Sequence, residues 1–300
     1  MEMQNIELTK DKRVHFIGIG GINMSSLGSV MLTRGFKVSG SDSKASHLTD
    51  ELKSMGAEIF VGQRAENIDG DIQLVVYTAA IHPDNPELMR AAELGIPAVT
   101  RADFLGWIMK GFPQVICVSG THGKTTTTSA LSQIFLEADA DPTIMSGGIV
   151  PAIGGNTRIG HSDTLIAEAC EYTNSFLSFF PTIAVILNVR ADHLDFFKDL
   201  DDIRHSFRMF AGLLPENGKL ILYDDIENPE YFTEGLECGV MIFGLKPDSD
   251  VTAVNISYND FACGEYDLII NGKTAGHVVL NIPGQHGVTN SLAADRKSVV

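Results

Sequence analysis

Two glycine-rich stretches carry the residues of this 300-residue chain whose types and spacing could do chemistry: "VHFIGIGGINMSS", from residue 14, and "VICVSGTHGKTTTT", from residue 115. Each follows an apolar run of strand length and opens a helical pattern. In the second, Gly120, Thr121, His122, Gly123, Lys124, Thr125 and Thr126 form the turn. N–H groups at the start of a helix point at phosphate oxygens, and the helix dipole adds to the attraction. Lys124 would neutralise β- and γ-phosphate oxygens, and the Thr125 hydroxyl would reach Mg²⁺. The spacing departs from GxxxxGK[ST], because Val118 stands at the place of its first glycine. An ordinary tight turn with a surface lysine leaves the GKT after an apolar strand unexplained, so ATP is the expected ligand.

In the first stretch Gly18, Gly20 and Gly21 supply a tight turn and close backbone approach. Asn23 stands where a dinucleotide fingerprint has its third glycine. Asp42 closes the next strand-like run, where a dehydrogenase would hold a ribose. These residues leave NAD and another phosphate ligand both open.

A third group is acidic. Glu168 and Glu171 follow the strand-like "TLIAEA", and Asp192, His193 and Asp195 follow "TIAVILNV". Strand ends are where α/β folds place ligand residues, and oxygen ligands suit the Mg²⁺ that phosphoryl transfer needs. Glu171, Asp192 and Asp195 would serve equally as helix caps or solvated acids. Cys170 reads as a small buried filler.

Short β-branched runs alternating with helical patterns must position these groups, which implies an α/β fold around mostly parallel sheets. The expected organisation is a Rossmann-like parallel-sheet domain over residues 1–112 and a P-loop ATPase α/β domain over 113–300. "GFPQ" marks the junction, and from "GKLILYDD" onward the pattern suggests an antiparallel β portion. The formal charge of −16 excludes nucleic acid and anionic membranes as expected partners, since both need a basic face. Four scattered cysteines without a CxxC pair fit reduced thiols. The first residues lack a signal-type apolar run and no run is long enough to span a bilayer, so a cytoplasmic protein is expected.

The chain resembles the Mur ligases, ATP-dependent amide-forming enzymes of peptidoglycan precursor synthesis. The stretches that carry the resemblance are "HFIGIGG", "SGSD", "VVYTAAIHPDNPEL", "VTRADFL", "GTHGKTTTT", "EACEY", "ADHLDFF" and "GQHGVTNSLAA". They match most closely the branch that joins L-alanine to the carboxylate of UDP-N-acetylmuramate. The resemblance implies an acyl-phosphate route with ATP and Mg²⁺, no nucleic acid or membrane, and no obligate protein partner. It implies Lys124, Glu168 and His193 as catalytic residues, with Thr125, Glu168 and His193 on the metal ions. His286 and Asn290 would join the GTHGKTT loop at ATP. The UDP-sugar would lie on Gly18, Gly20, Gly21, Asp42, Thr78, His82 and Arg101, with Asn156 and Arg158 as further substrate candidates in loops. Asp42 would contact the UDP moiety or cap the next helix.

Four positions depart from the family pattern. Asn23 replaces a glycine and tolerates positive φ best after glycine. Gln63 stands where a histidine is usual. Arg190 puts a cation beside "ADHLD", able to repel a metal unless turned away. Gly287 interrupts the usual HN near the adenine end of ATP, where a lost amide costs about 1–3 kcal/mol if its partner is left unpaired. The family continues into a third, C-terminal domain; "DRKSVV" reads as a foreign or truncated tail that does not extend the helix, so a chain that binds ligands without completing ligation is expected. Three alternatives remain: an NAD-dependent oxidoreductase, which leaves GTHGKTTTT unexplained; a related ligase adding another amino acid or peptide; and a nucleotide-binding module without turnover.

Overall fold

A computed structural model describes residues 6–298. The chain divides into two compact units, Met1–Gly111 and Phe112–Val300.

The first unit runs β1 (Arg13–Ile17), α1 (Ile22–Thr33), β2 (Lys37–Asp42), α2 (His47–Ser54), β3 (Glu58–Val61), β4 (Ile72–Tyr77), α3 (Pro86–Glu93), β5 (Ala98–Thr100) and α4 (Arg101–Met109). Its five strands are parallel in the order β3-β2-β1-β4-β5. Strand order reverses between β1 and β4, so a crevice opens at the carboxyl ends of those strands. Near-continuous apolar runs suit strands covered on both faces: Val14, Phe16, Ile17, Leu74, Val75 and Val76 are all buried.

The second unit runs β6 (Gln114–Ser119), α5 (Lys124–Glu137), β7 (Thr143–Val150), β8 (Gly155–Arg158), β9 (Thr164–Glu168), β10 (Ile183–Ile186), α6 (Leu200–Ala211), β11 (Lys219–Tyr223), α7 (Glu230–Thr233), β12 (Gly239–Gly244), β13 (Val251–Tyr258), β14 (Cys263–Ile270), β15 (Lys273–Pro283) and α8 (Gln285–Ser298). Its ten-stranded sheet has the order β15-β14-β13-β12-β11-β10-β6-β9-β7-β8. β6 lies between β10 and β9, parallel to both. The turns after these three strands therefore converge on one edge.

Three expectations change here. The antiparallel portion is shorter than the sequence suggests: β11, β12 and β13 continue the parallel sheet, and only β13–β14–β15 and the β7–β8 hairpin are antiparallel. The supposed substrate loops around Gly147 and Asn156 are the two strands of that hairpin. "DRKSVV" does not break the helix, because α8 continues through Ser298. Arg and Lys are good helix formers and outweigh the missing apolar pattern. Val299 and Val300 lie outside the described residues.

Candidate functional site

The turn after β6 is braced by the chain that follows β10. Asn188 clamps His122 with both ends of its amide: Oδ1 accepts the His122 N–H and Nδ2 donates to its carbonyl, each at 2.9 Å. The Thr121 N–H donates to the Asn188 carbonyl at 3.1 Å. The buried Thr121 hydroxyl in turn accepts the Arg190 N–H at 2.9 Å. Gly123, at φ +88°, caps α5, and a Cβ there would stand 2.8 Å from Asn290 Oδ1. The first helical bond of α5 is Thr127 N–H to the Gly123 carbonyl at 2.9 Å. The N–H groups of Lys124, Thr125 and Thr126 precede it and face the helix N-terminus, where an anion is favoured.

Around this turn the acids divide their work. The Thr125 hydroxyl donates to Glu168 Oε2 at 3.2 Å, and the Ser146 hydroxyl donates to Glu168 Oε1. A Cβ on Gly147 would lie 3.0 Å from Glu168 Oε2, and one on Gly148 would lie 3.0 Å from Thr125 Cγ2. The paired glycines that disguise β7 as a loop are thus what lets its backbone pass so close. Glu171 is buried and ion-paired to Lys124 at 3.0 Å, so it is not a solvated acid; it stands at the N-cap of the 3-10 helix Tyr172–Ser178, but its side chain makes no capping bond.

His193 adopts a left-handed backbone, φ +51°, uncommon for a residue with a side chain. Its N–H donates to Asp192 Oδ1 at 2.7 Å, and its ring lies 4.6 Å from that of Tyr172. The Tyr172 hydroxyl donates to Asp195 at 2.8 Å, and that carboxylate raises the phenol's pKa. Cys170 is half-buried rather than buried. Among the described residues no three His, Cys, Asp or Glu side chains gather into a metal cage.

A cleft of about 510 Å³ continues from His122 and Gly123, lined by Leu187, Tyr223 and Phe243 and by His286 and Asn290 of α8. Arg190 and Asp225 stand in its wall as an exposed pair 3.6 Å apart. The guanidinium is thus directed to a carboxylate, and so exposed a pair is worth at most about 1 kcal/mol. Gly287 is buried, and a Cβ there would lie 2.9 Å from the Ile282 carbonyl oxygen. A larger residue needs the end of β15 to move.

The first glycine turn works differently from the sequence expectation. The N–H groups of Gly18 and Ile19 both donate to the Ser41 carbonyl, at 2.8 and 3.0 Å. The Gly20 N–H donates to Asp42 Oδ2 at 2.9 Å, and the Gly21 N–H to the Gly18 carbonyl at 3.1 Å. The glycines shape the turn, and their donors serve the protein. The open donors are the N–H groups of Ile22, Asn23 and Met24, which precede the Ser25-to-Gly21 helical bond of α1. Asn23 is helical and exposed, so its tolerance of positive φ is not used.

Asp42 does not cap α2 either, since Ser46 and Thr49 form its capping box. Gln63 accepts from Asn85, the cap of α3, at 2.7 Å. Thr78 and His82 follow β4 at the same sheet edge, His82 exposed, and Arg101 opens α4 beyond β5. In the β7–β8 hairpin Asn156 donates to the Ser146 carbonyl at 3.4 Å. Arg158 is engaged by the Pro142 carbonyl and by Asp141, whose pKa that guanidinium lowers to about 2.

Sequence reasoning missed Asn188, Tyr172, Ser146 and the buried Glu87. The only signal for Asn188 was its place just past a buried strand, after Leu187. Glu87 is fully buried in α3 and accepts from Ser41 and from Asn67, each at 2.6 Å, with His15 Nε2 3.6 Å away. Burial raises its pKa, but the neighbouring His15, Ser41 and Asn67 outweigh that and hold it below the ordinary range.

These two units define an α/β protein with a phosphate-type turn at the crossover of each sheet and an acid-lined P-loop in the second. Residues 13–113 match the profile described as Mur ligase family, catalytic domain, and residues 118–295 match the Mur ligase middle domain. The chain belongs to the Mur ligase family. It is 55% identical to the UDP-N-acetylmuramate–L-alanine ligase of Lachnospira eligens over 97% of this chain and 64% of that protein. It is 50% identical to the ligase of the same name from Clostridium botulinum strain Langeland, over 95% of this chain and 62% of that protein. The chain thus spans 62–64% of the length of these curated relatives.

Among solved structures, it resembles the UDP-N-acetylmuramate:L-alanyl-gamma-D-glutamyl-meso-diaminopimelate ligase of Neisseria meningitides, with TM-score 0.85, 28% identity and 96% and 94% of the two chains covered. It also resembles the UDP-N-acetylmuramate-alanine ligase of Thermotoga maritima, with TM-score 0.80, 29% identity and 95% and 64% covered. No helix among the described residues is long and apolar enough to cross a membrane.

Proposed function

We propose that the chain provides the nucleotide and UDP-sugar sites of an ATP-dependent ligase that joins L-alanine to the carboxylate of UDP-N-acetylmuramate. The observation that carries this reading is the 3.2 Å hydrogen bond from Thr125, in the first turn of α5, to Glu168, at the end of the strand beside β6. A hydroxyl and a carboxylate are the oxygen donors that Mg²⁺ takes beside nucleotide phosphates. Thr125 and Glu168 would hold that ion, with His193 at a second. An ion held by these residues would offset phosphate charge.

A carboxylate is a poor acyl donor, so its attack on the γ-phosphorus, giving an acyl phosphate and ADP, prepares it for the amine of L-alanine. The amine then displaces phosphate through a tetrahedral intermediate. Lys124 and the N–H groups of Lys124, Thr125 and Thr126 offset the charge gathered when carboxylate meets triphosphate. The cleft lined by Leu187, Tyr223, Phe243, His286 and Asn290 takes the adenine end. In the first unit the UDP diphosphate rests on the N–H groups of Ile22, Asn23 and Met24. Gly18, Gly20, Gly21 and Asp42 hold that turn in shape, and Thr78, His82 and Arg101 face the sugar nucleotide. The Arg158–Asp141 pair favours a structural role for Arg158. A cytoplasmic location belongs to the same proposal.

Titration calorimetry of the chain with UDP-N-acetylmuramate and with Mg·ADP tests the reading. One site for each is expected. Binding of neither, or tight binding of NADH instead, overturns it.

A further inference from the structure

An ammonium group has three donors, and those of Lys124 meet three protein acceptors. Nζ lies 2.5 Å from the Gly120 carbonyl, 3.2 Å from the Thr121 carbonyl and 3.0 Å from Glu171 Oε2. Two of these acceptors belong to the lysine's own loop. The third is a carboxylate with 2% side-chain exposure, whose other oxygen, Oε1, is buried without a hydrogen-bond partner. Glu171 is also fixed from behind, because its carbonyl accepts the Asn174 N–H at 2.8 Å. A buried carboxylate with one oxygen already unpaired is costly to separate from its cation. The neighbouring Glu168 is occupied with the hydroxyls of Thr125 and Ser146, so the two acids serve different partners.

We propose that Glu171 is a counter-ion latch: it holds Lys124 back against its own loop and competes with the terminal phosphates of a nucleotide for that ammonium. The proposal rests on the nucleotide reading above and deepens it. Affinity for nucleotide is then set partly by a residue that does not touch it. The latch acts on nucleotides whose phosphates reach Lys124 and leaves nucleoside monophosphates unaffected. It also keeps the ammonium from lying exposed, which lowers its reactivity toward acylating reagents.

Glu171→Gln keeps the size of the side chain and removes its charge. With Mg²⁺ present, ADP is expected to bind this variant about threefold to tenfold tighter than the unmodified chain, while AMP affinity is unchanged. Acetylation of Lys124 by N-hydroxysuccinimidyl acetate, mapped by mass spectrometry, is expected to rise at least about threefold. A merely structural Glu171 would shift ADP and AMP together. A folded variant with unchanged or weaker ADP binding and unchanged labelling overturns the latch. Increased labelling in a chain that binds no ADP before or after substitution keeps the latch and removes the nucleotide reading. Glu171→Asp, with a shorter reach, gives the same two readouts in the same direction if Glu171→Gln does not fold.

Discussion

Lys124 and Glu168 meet different halves of one electrostatic problem. The lysine carries positive charge at the turn, while the carboxylate and the Thr125 hydroxyl offer oxygens that a hard cation accepts. Replacing Lys124 by Ala is expected to weaken Mg·ADP binding about 10-fold to 100-fold, the range of a lost charge-assisted hydrogen bond, measured by calorimetry. UDP-N-acetylmuramate binding should not change. The types of these residues were legible in the sequence because GKT after an apolar strand has few other uses. Their partners were not. Asn188 reaches His122 across 66 residues, and Glu171 reaches Lys124 across 47, distances over which spacing carries no signal. The same holds for the first turn, where the Ser41 carbonyl takes the Gly18 and Ile19 donors that a motif would assign to a ligand.

The elements that hold the turns carry their own energetic signatures. Glu87 ties α3 to Ser41 of β2 and thereby supports the residue whose carbonyl anchors the first glycine turn. Its folded-state pKa lies below the ordinary 4.5. The stability it contributes is present above that value and is lost as pH falls through the folded value. Glu87→Gln should therefore cost about 1–3 kcal/mol near neutrality, and the gap between the two proteins should narrow as the pH drops below about 4.5. Urea unfolding across that range checks it.

At the start of α8, Gly287→Asn adds a side chain at a buried glycine. With the Ile282 carbonyl 2.9 Å from a Cβ there, it should destabilise the fold by about 1–3 kcal/mol, read as a lower thermal midpoint. Most elements were legible as alternating strands and helices. β7 and β8 were not, because Gly147 and Gly148 imitate a loop while serving a close approach to Glu168 and Thr125.

At the scale of the whole molecule, the acid excess and the two crossover turns act together. A net charge of −16 repels polyanions, yet each turn presents helix N-terminal N–H groups free to donate to a small anion. The chain is expected to pass unretained through heparin at low salt while binding nucleotide; retention there would contradict the charge argument. The parallel order around β1 and β6 was predictable from βαβ periodicity, but the run of parallel strands through β13 was not. The only helix between β11 and β12 is the four-residue α7, and none lies between β12 and β13, so these connections imitate those of an antiparallel region.

Two separate phosphate cradles, one for a UDP-sugar and one for a nucleotide, follow from the proposed function. The most direct test titrates UDP-N-acetylmuramate into the chain already saturated with Mg·ADP, and repeats it with Lys124→Ala. One UDP-sugar site per chain is expected whether or not ADP is bound, with the substitution weakening ADP alone. Displacement of ADP by the UDP-sugar, or equal loss of both ligands on substituting Lys124, would contradict it.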